Sequence, residues 1–166
     1  GWSKSPTILG RESAVKALMK ARSYLPKGYN FKVWDFKRTR DVQLLIIDSF
    51  MKRLKLLHPK LSDRKIMNLV YTFAARPYKV VTDPGTHRNG GAVDLTVVDK
   101  LGVELYMGTD HDHLTVVSAL DYYENILPLN SFEKEARKNR RVLKKVMLKA
   151  GFTPYAPEWW HWDYDK

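Results

Sequence analysis

Cysteine is absent from this chain of 166 residues. A disulfide framework and a thiolate zinc site are therefore both excluded, and any metal must be held by histidine and carboxylate side chains. Long apolar runs are also missing, since stretches such as 44–47 are far shorter than the roughly 18 residues of a membrane span. We therefore expect no integral membrane contact.

Acidic residues are scarce beside basic ones, with 18 Asp and Glu against 29 Lys and Arg and a formal net charge of +11. Such a charge attracts polyanions, so nucleic acid and anionic cell-wall polymers are both considered as partners. The basic segment 134–149 also carries an apolar stripe, as ordinary solvated helices do, and we therefore predict no nucleic-acid partner. Anionic cell wall remains the association that the charge suits.

The compartment is predicted from composition. The chain begins at Gly1 rather than Met, is strongly basic and has no cysteine. These features favour an exported protein of the bacterial periplasm or cell envelope, with the cytoplasm as the alternative.

Apolar periodicity predicts helices and strands in separate groups, which favours the α+β class over a doubly wound sheet. Helices are predicted at 11–25, 41–58, after Ser62 up to Pro77, 118–126 and 130–150. Asn130 and Glu133 resemble a capping box, and Gly151 is a natural stop. Strands are predicted at 31–35, 79–82, 92–98 and 104–106. The length predicts one compact domain, residues 1–166, with a small, mainly antiparallel sheet and helices packed against it.

A first candidate site surrounds the turn at Asn89 and Gly90. On the following strand Asp94 lies on the face opposite Val93 and Leu95, so we expect it on the polar face. A reversal at Asn89-Gly90 would bring His87 back toward Asp94, which gives two metal ligands from adjacent segments. The alternative is a hairpin whose His and Asp are exposed polar residues.

A second candidate site is the segment 157–162, which contains three tryptophans. Glu158 and His161 are three residues apart and would lie on opposite faces of a regular strand, so the backbone must turn between them to bring both to one centre. The tryptophans would form a wall of low dielectric, which raises a carboxylate pKa toward the range of a general base. The alternative is a tryptophan core with Glu and His at its rim.

Together the two segments supply a complete catalytic set. His87, Asp94 and His161 are three protein ligands, the number that a catalytic zinc takes while its fourth position is left to water. Glu158 is left over as the base. The cluster Asp110-His111-Asp112-His113 offers an alternative metal site, but neighbouring residues seldom converge on one ion, so we expect these histidines to shape the mouth of the pocket.

These motifs resemble those of the D-alanyl-D-alanine dipeptidases of VanX type, in order and in approximate spacing, over most of the chain. The matching segments are Gly85-Thr86-His87-x-x-Gly90-x-Ala92-x-Asp94-Leu95-Thr96, Met107-Gly108-Thr109-x-x-Asp112, Asn139-Arg140-Arg141, Gly151-Phe152 and Glu158-Trp159-Trp160-His161. The segment 33–38 resembles the family's stretch that ends in Tyr-Arg-Pro.

The resemblance implies one catalytic zinc at the sheet face, bound by His87, Asp94 and His161, with Glu158 as general base and proton shuttle. It also implies that Arg38 stabilises the tetrahedral intermediate and that Asp112 receives the free amino group of the substrate. The predicted function is therefore zinc-dependent hydrolysis of the D-alanyl-D-alanine dipeptide by a metal-activated water.

The chain departs from the family pattern at three places. Gly85, at a substrate-binding position, stands where the family usually has Ser, so one polar contact to substrate is missing. Lys37 and Thr39 replace the Tyr and Pro around the arginine. Only residues 1–9 stand in place of the segment that the family carries before its first helix, so we expect that segment to be short or removed.

Two other functions stay open at this point. A related zinc D,D-carboxypeptidase or endopeptidase would act on longer peptidoglycan stem peptides, which Gly85 and a shortened N-terminus would admit. A non-catalytic basic binding module would keep the fold without the chemistry. D-Alanine salvage, wall remodelling and glycopeptide resistance all use the same bond cleavage, so the sequence leaves the physiological role open.

Overall fold

The structure, a computed structural model, describes residues 7–74, 76, 86–113 and 115–166. Two compact units are distinguished. The sheet unit comprises Ile8–Lys37 and Asp83–Lys166, and the helical unit comprises Gly1–Thr7 and Arg38–Thr82. A single domain of residues 1–166 stays a prediction.

The sheet unit contains four antiparallel strands in the order β1-β2-β4-β3. Their bounds are β1 Asn30–Asp35, β2 Ala92–Val98, β3 Thr153–Pro154 and β4 His161–Asp163. This arrangement confirms the predicted α+β class and the antiparallel sheet. The register of β1 shifts between Val33 and Asp35, which marks a bulge at Trp34.

Strand β2 lies between β1 and β4, and all seven of its residues are buried. Val93, Leu95 and Val97 join the main hydrophobic core as predicted. Asp94 and Thr96 were expected on a polar face of this strand. Neither is exposed to solvent, because Asp94 is only 2% exposed and Thr96 is fully buried. A central strand covered on both faces removes even its polar residues from water.

Two helices pack on one another within the sheet unit, namely α1 (Glu12–Ser23) and α4 (Ser131–Lys149). The buried face of α1 consists of small residues: Ala14, Ala17 and Ala21. Helix α4 begins with the predicted capping box between Asn130 and Glu133. It ends before Gly151, whose φ of 94° is the left-handed conformation that glycine adopts readily.

The helical unit contains α2 (Arg40–Leu57) and α3 (Asp63–Phe73), which contact one another. Thr39 caps α2 by accepting a hydrogen bond from the backbone N–H of Val42 at 3.3 Å. Helix α3 begins after Ser62 as predicted, but the Ser62 side chain makes no capping hydrogen bond. None of the helices within the described residues combines the length and apolarity that a membrane span requires.

Two further predictions need correction. The helix predicted at 118–126 is replaced by two 3₁₀ turns, Val116–Ser118 and Tyr122–Glu124. The strand predicted at 104–106 is reduced to one isolated antiparallel bridge between Glu104 and Val98. The strand predicted at 79–82 lies outside the described residues.

Candidate metal centre

Strand pairing brings Asp94 and His161 together. The two residues are direct Cα partners in the antiparallel register of β2 and β4. Opposite side chains in such a pair have Cβ atoms about 5 Å apart, within reach of one another. Asp94 Oδ1 lies 2.9 Å from His161 Nδ1.

His87 reaches the same point from a 3₁₀ turn, His87–Asn89, that precedes β2. The turn closes through Gly90, whose φ is 74° and whose backbone N–H donates to the carbonyl of His87 at 3.1 Å. A Cβ at Gly90 would lie 2.6 Å from the backbone nitrogen of Arg11, so only glycine fits. His87 Nε2 lies 3.1 Å from Asp94 Oδ2 and 3.1 Å from His161 Nδ1.

The three side chains therefore form one cluster. One donor atom from each of His87, Asp94 and His161 lies within 4.8 Å of the other two. In the part of the chain that the structure describes, no other group of three or more His, Cys, Asp or Glu side chains has this geometry. The alternative metal site at 110–113 is therefore not assembled as a separate cluster.

Hydrogen bonds outside the cluster orient both imidazole rings. His87 Nδ1 donates to the backbone carbonyl of Phe36 at 2.7 Å, which directs Nε2 toward Asp94. His161 Nε2 donates to Asp163 Oδ1 at 3.1 Å, which directs Nδ1 toward Asp94. Such outer partners fix the ring orientation of metal-binding histidines. Two imidazoles and one carboxylate are a donor set that suits zinc.

The electrostatics of the cluster favour a negatively charged Asp94 and a positively charged His161 in the metal-free protein. Burial opposes the charge of Asp94, but the charge of His87, the nearby imidazole of His111 and the hydrogen bonds from His161 and His87 hold the pKa of Asp94 well below its usual value. Burial alone would lower the pKa of His161, but hydrogen bonds to Asp163 and Asp94 raise it to about 10. A cation that displaces the proton on His161 Nδ1 would meet the Asp94 carboxylate, while Asp163 would keep its hydrogen bond to Nε2.

Glu158 lies in a backbone turn before His161, as their separation of three residues predicted. Its backbone N–H donates to the carbonyl of Tyr155 at 3.0 Å, and its own carbonyl accepts from His161 at 3.4 Å. Burial and the negative charges of Glu158 and Asp163 raise the pKa of Tyr155. The three tryptophans of this segment, Trp159, Trp160 and Trp162, are buried as predicted.

Asp112 and His111 lie near the cluster. Asp112 has a φ of 60°, unusual for a residue other than glycine. His111 stacks on Trp34 with ring centroids 4.4 Å apart, and its Nε2 lies 3.5 Å from Asp112 Oδ1 and 3.8 Å from Asp94 Oδ2. His113, by contrast, is exposed.

Two site predictions remain, Arg38 and Gly85. Arg38 begins the helical unit, where its Nη1 donates to Gln43 Oε1 at 2.9 Å. Gly85 lies outside the described residues. The roles of Arg38 and Gly85 stay predictions. The same holds for the roles of the three metal ligands, of Glu158 as base and of Asp112.

Sequence reasoning missed the outer partners Phe36 and Asp163. Asp163 is two residues beyond His161 on the same strand, so the period of two placed both on one face, and this signal was available. Phe36 contributes a backbone carbonyl from a distant segment, for which a side-chain pattern holds no signal.

Curated relatives with similar sequences are D-alanyl-D-alanine dipeptidases. The protein from a Synechocystis species is 28% identical over 173 residues, which cover 95% of this chain and 69% of that protein. The Enterococcus faecalis protein is 25% identical over 157 residues, covering 93% of this chain and 72% of the relative. The Escherichia coli protein is 34% identical over 83 residues, half of this chain and 39% of the relative.

Solved structures with the same fold include two VanY proteins. One is a mutant of the vancomycin resistance D,D-pentapeptidase VanY in complex with Zn(II), with a TM-score of 0.56 and 18% identity over 98% of this chain and 76% of that one. The other is VanYB in complex with D-alanine-D-alanine, with a TM-score of 0.54 and 19% identity over 93% of this chain and 68% of that one. At this identity the likeness shows the fold.

The sequence profile of peptidase family M15, described as D-ala-D-ala dipeptidase, matches residues 3–166. That span covers nearly the whole chain, and it includes the three clustered side chains, Glu158 and Asp112. The chain therefore belongs to the M15 family of D-ala-D-ala dipeptidases, which confirms the family that its motifs indicated.

Proposed function

We propose that this protein is a zinc peptidase that hydrolyses the D-alanyl-D-alanine dipeptide, with the ion held by His87, Asp94 and His161. The observation that carries the proposal is the cluster of these three donors, all within 4.8 Å of one another around the buried Asp94. Membership of the dipeptidase family supports the substrate class. A zinc ion bound there would lower the pKa of a coordinated water to about 7 and polarise the scissile carbonyl.

Glu158 is the proposed general base. It takes a proton from the attacking water and delivers that proton to the nitrogen of the leaving D-alanine. Two features support the role: Glu158 is three residues from His161, and the backbone between them turns. The buried tryptophans beside it form an environment of low dielectric, which favours proton transfer by a carboxylate.

Recognition of the substrate is assigned to three other positions. Asp112 would form an ion pair with the free amino group, a role supported by its residue type and by its contact with His111 next to Asp94. Arg38 would stabilise the negative charge that develops on the carbonyl oxygen, and Gly85 would border the substrate. For these two positions the support is the sequence motif alone.

Release of free D-alanine from D-alanyl-D-alanine tests the proposal. Zinc-loaded protein is compared with protein treated with a chelator, and zinc is then restored to the chelated sample. We expect release that is lost on chelation and recovered on addition of zinc. A zinc-loaded protein that releases no D-alanine would overturn the proposed dipeptidase activity.

A D,D-carboxypeptidase that trims longer stem peptides is the second candidate. The sequence feature that favours it is Gly85, which stands where the dipeptidases usually carry Ser, so the motif lacks a polar side chain at this position. Dipeptide and pentapeptide substrates ending in D-Ala-D-Ala separate the two candidates. Faster cleavage of the pentapeptide would assign the carboxypeptidase activity.

A further inference from the structure

Arg140 is a buried cation that the proposed chemistry does not use. It lies on α4 and is only 2% exposed. Burial lowers its pKa to about 10, so the guanidinium stays charged at neutral pH. Burying a charge costs free energy unless hydrogen bonds or an opposite charge compensate it, so the groups that bind this guanidinium have to be identified.

The guanidinium of Arg140 donates to three backbone carbonyls. Nε bonds Met107 at 2.8 Å, Nη1 bonds Ala119 at 2.6 Å and Nη2 bonds Val117 at 2.9 Å. Met107 precedes and Ala119 follows the Asp112 loop, which we define as residues 108–113 and 115–118. One side chain therefore holds the two ends of this loop together.

The Asp112 loop has little regular structure of its own. Its only helical element in the described residues is the 3₁₀ turn Val116–Ser118. At its centre, Asp112 adopts the uncommon φ of 60°. Aspartate adopts this left-handed conformation more often than most non-glycine residues do, but it is still uncommon, so it depends in part on the surrounding loop.

The same loop is fastened to the segment that carries Glu158. Trp159 donates from its backbone N–H to the carbonyl of Ser118 at 2.9 Å and from Nε1 to Thr109 Oγ1 at 2.8 Å. The guanidinium of Arg140 lies 6.0 Å from the Trp159 ring and 4.7 Å from the Tyr123 ring. Arg140 therefore contacts the loop, and through Trp159 it also contacts the segment of the proposed base.

We propose that Arg140 is a positioning residue for substrate recognition, which fixes the Asp112 carboxylate where the amino group of the substrate binds. The inference rests on the proposed role of Asp112. Arginine suits the task because its planar fork of five N–H donors spans three carbonyls, whereas the compact ammonium of lysine cannot bond all three in this geometry.

The test compares ligands that differ only at the amino group. Binding of D-Ala-D-Ala and of N-acetyl-D-Ala-D-Ala to zinc-loaded protein is measured by calorimetry, in a Glu158→Gln background that is expected to slow turnover by roughly 10²–10⁴-fold. Arg140→Lys and Arg140→Met are the test variants. Arg141→Met is the matched control, because Arg141 is the next residue on α4 and pairs on the exposed surface with Glu124.

We expect the parent to prefer the free amine, and both Arg140 variants to reduce this preference by about tenfold, since misplacement on the ångström scale has effects of this size or larger. Affinity for the N-acetyl ligand and zinc content should stay near the parent values, and Arg141→Met should keep the preference. If Arg140→Met does not fold, the preference of Arg140→Lys for the free amine is compared with that of the parent and decides the test alone.

An Arg140→Lys protein that is folded, loaded with zinc and as selective as the parent would overturn the inference and leave Arg140 a purely structural role. A parent that does not distinguish the two ligands would overturn it as well. Failure of the wild-type protein to release D-alanine is a separate result, because it contradicts the proposed activity and does not enter this binding comparison.

Discussion

Asp94 and His161 are direct cross-strand partners, and their side chains meet with 2.9 Å between Oδ1 and Nδ1. The register of the sheet itself therefore assembles two of the three proposed zinc donors. The third, His87, depends on the turn through Gly90. A donor set that is already assembled avoids the cost of ordering side chains when an ion binds.

Removal of the central carboxylate should abolish tight zinc binding. Asp94→Ala leaves His87 and His161 without the oxygen donor that lies within about 3 Å of both. Changes in outer partners alone cost 10–100-fold in metal affinity, so loss of a direct donor should cost more than about 100-fold. Competition with a chromophoric chelator measures the affinity.

His113→Ala is the control, because His113 lies in the Asp112 loop but is exposed. It should bind zinc as the wild-type protein does. An Asp94→Ala protein with wild-type zinc affinity would remove Asp94 from the donor set.

Zinc binding should release about one proton at pH 8. With its pKa raised to about 10, His161 is protonated in the metal-free protein at this pH, and the ion must displace that proton from Nδ1. Zinc affinity should therefore rise with pH up to about 10. Calorimetry in two buffers with different ionisation enthalpies counts the protons, and a binding enthalpy that is identical in both buffers contradicts the expectation.

The same histidine should make the stability of the metal-free protein depend on pH. Its pKa is raised from 6.5 to about 10, so the stabilisation is complete below pH 6.5 and is lost as pH rises toward 10. The melting temperature of the metal-free protein should fall between pH 7 and pH 10 more steeply for the wild type than for His161→Asn. Parallel pH profiles of the two proteins would contradict this assignment.

Sequence patterns predicted the elements that depend on local interactions. The capping box of Asn130 and Glu133 and the stop at Gly151 are short-range signals, and both are present in α4. The strand Ala92–Val98 and the clustering of His87 with Asp94 also followed from local spacing. The turn between Glu158 and His161 was required by their separation of three.

Features that depend on distant segments were not predictable in this way. Asp94 is buried because β1 and β4 flank its strand and the core covers it, and the alternation of residues in β2 alone suggested a polar face. The carbonyl of Phe36 orients His87 across 51 positions of sequence. The segment 116–124 forms two 3₁₀ turns instead of one helix, and its Val117 and Ala119 carbonyls accept hydrogen bonds from the distant Arg140.

Replacement of the proposed base should separate chemistry from metal binding. Glu158→Gln keeps the size and hydrogen-bonding capacity of the side chain but cannot accept the proton, so kcat should fall by roughly 10²–10⁴-fold. Zinc content should stay at the wild-type value. Glu124→Gln is the control. Glu124 lies in the 3₁₀ turn 122–124 and pairs with Arg141 of α4, so it has no part in the proposed chemistry. A Glu158→Gln protein with kcat near that of wild type would exclude Glu158 as the base.

Asp112→Asn should weaken recognition of the substrate's amino group without disturbing the loop. Asn tolerates positive φ as Asp does, so the backbone conformation at φ 60° is retained while the negative charge is lost. A hydrogen bond to a charged group contributes about 1.5–3 kcal/mol, so KM for D-Ala-D-Ala should rise roughly 10- to 100-fold. Steady-state kinetics with the free and the N-acetylated dipeptide measure the effect, which should be confined to the free amine. Asp110→Asn, on an exposed residue of the same loop, should leave both KM values unchanged. An equal rise for both dipeptides would show that Asp112 acts on the pocket as a whole rather than on the amino group.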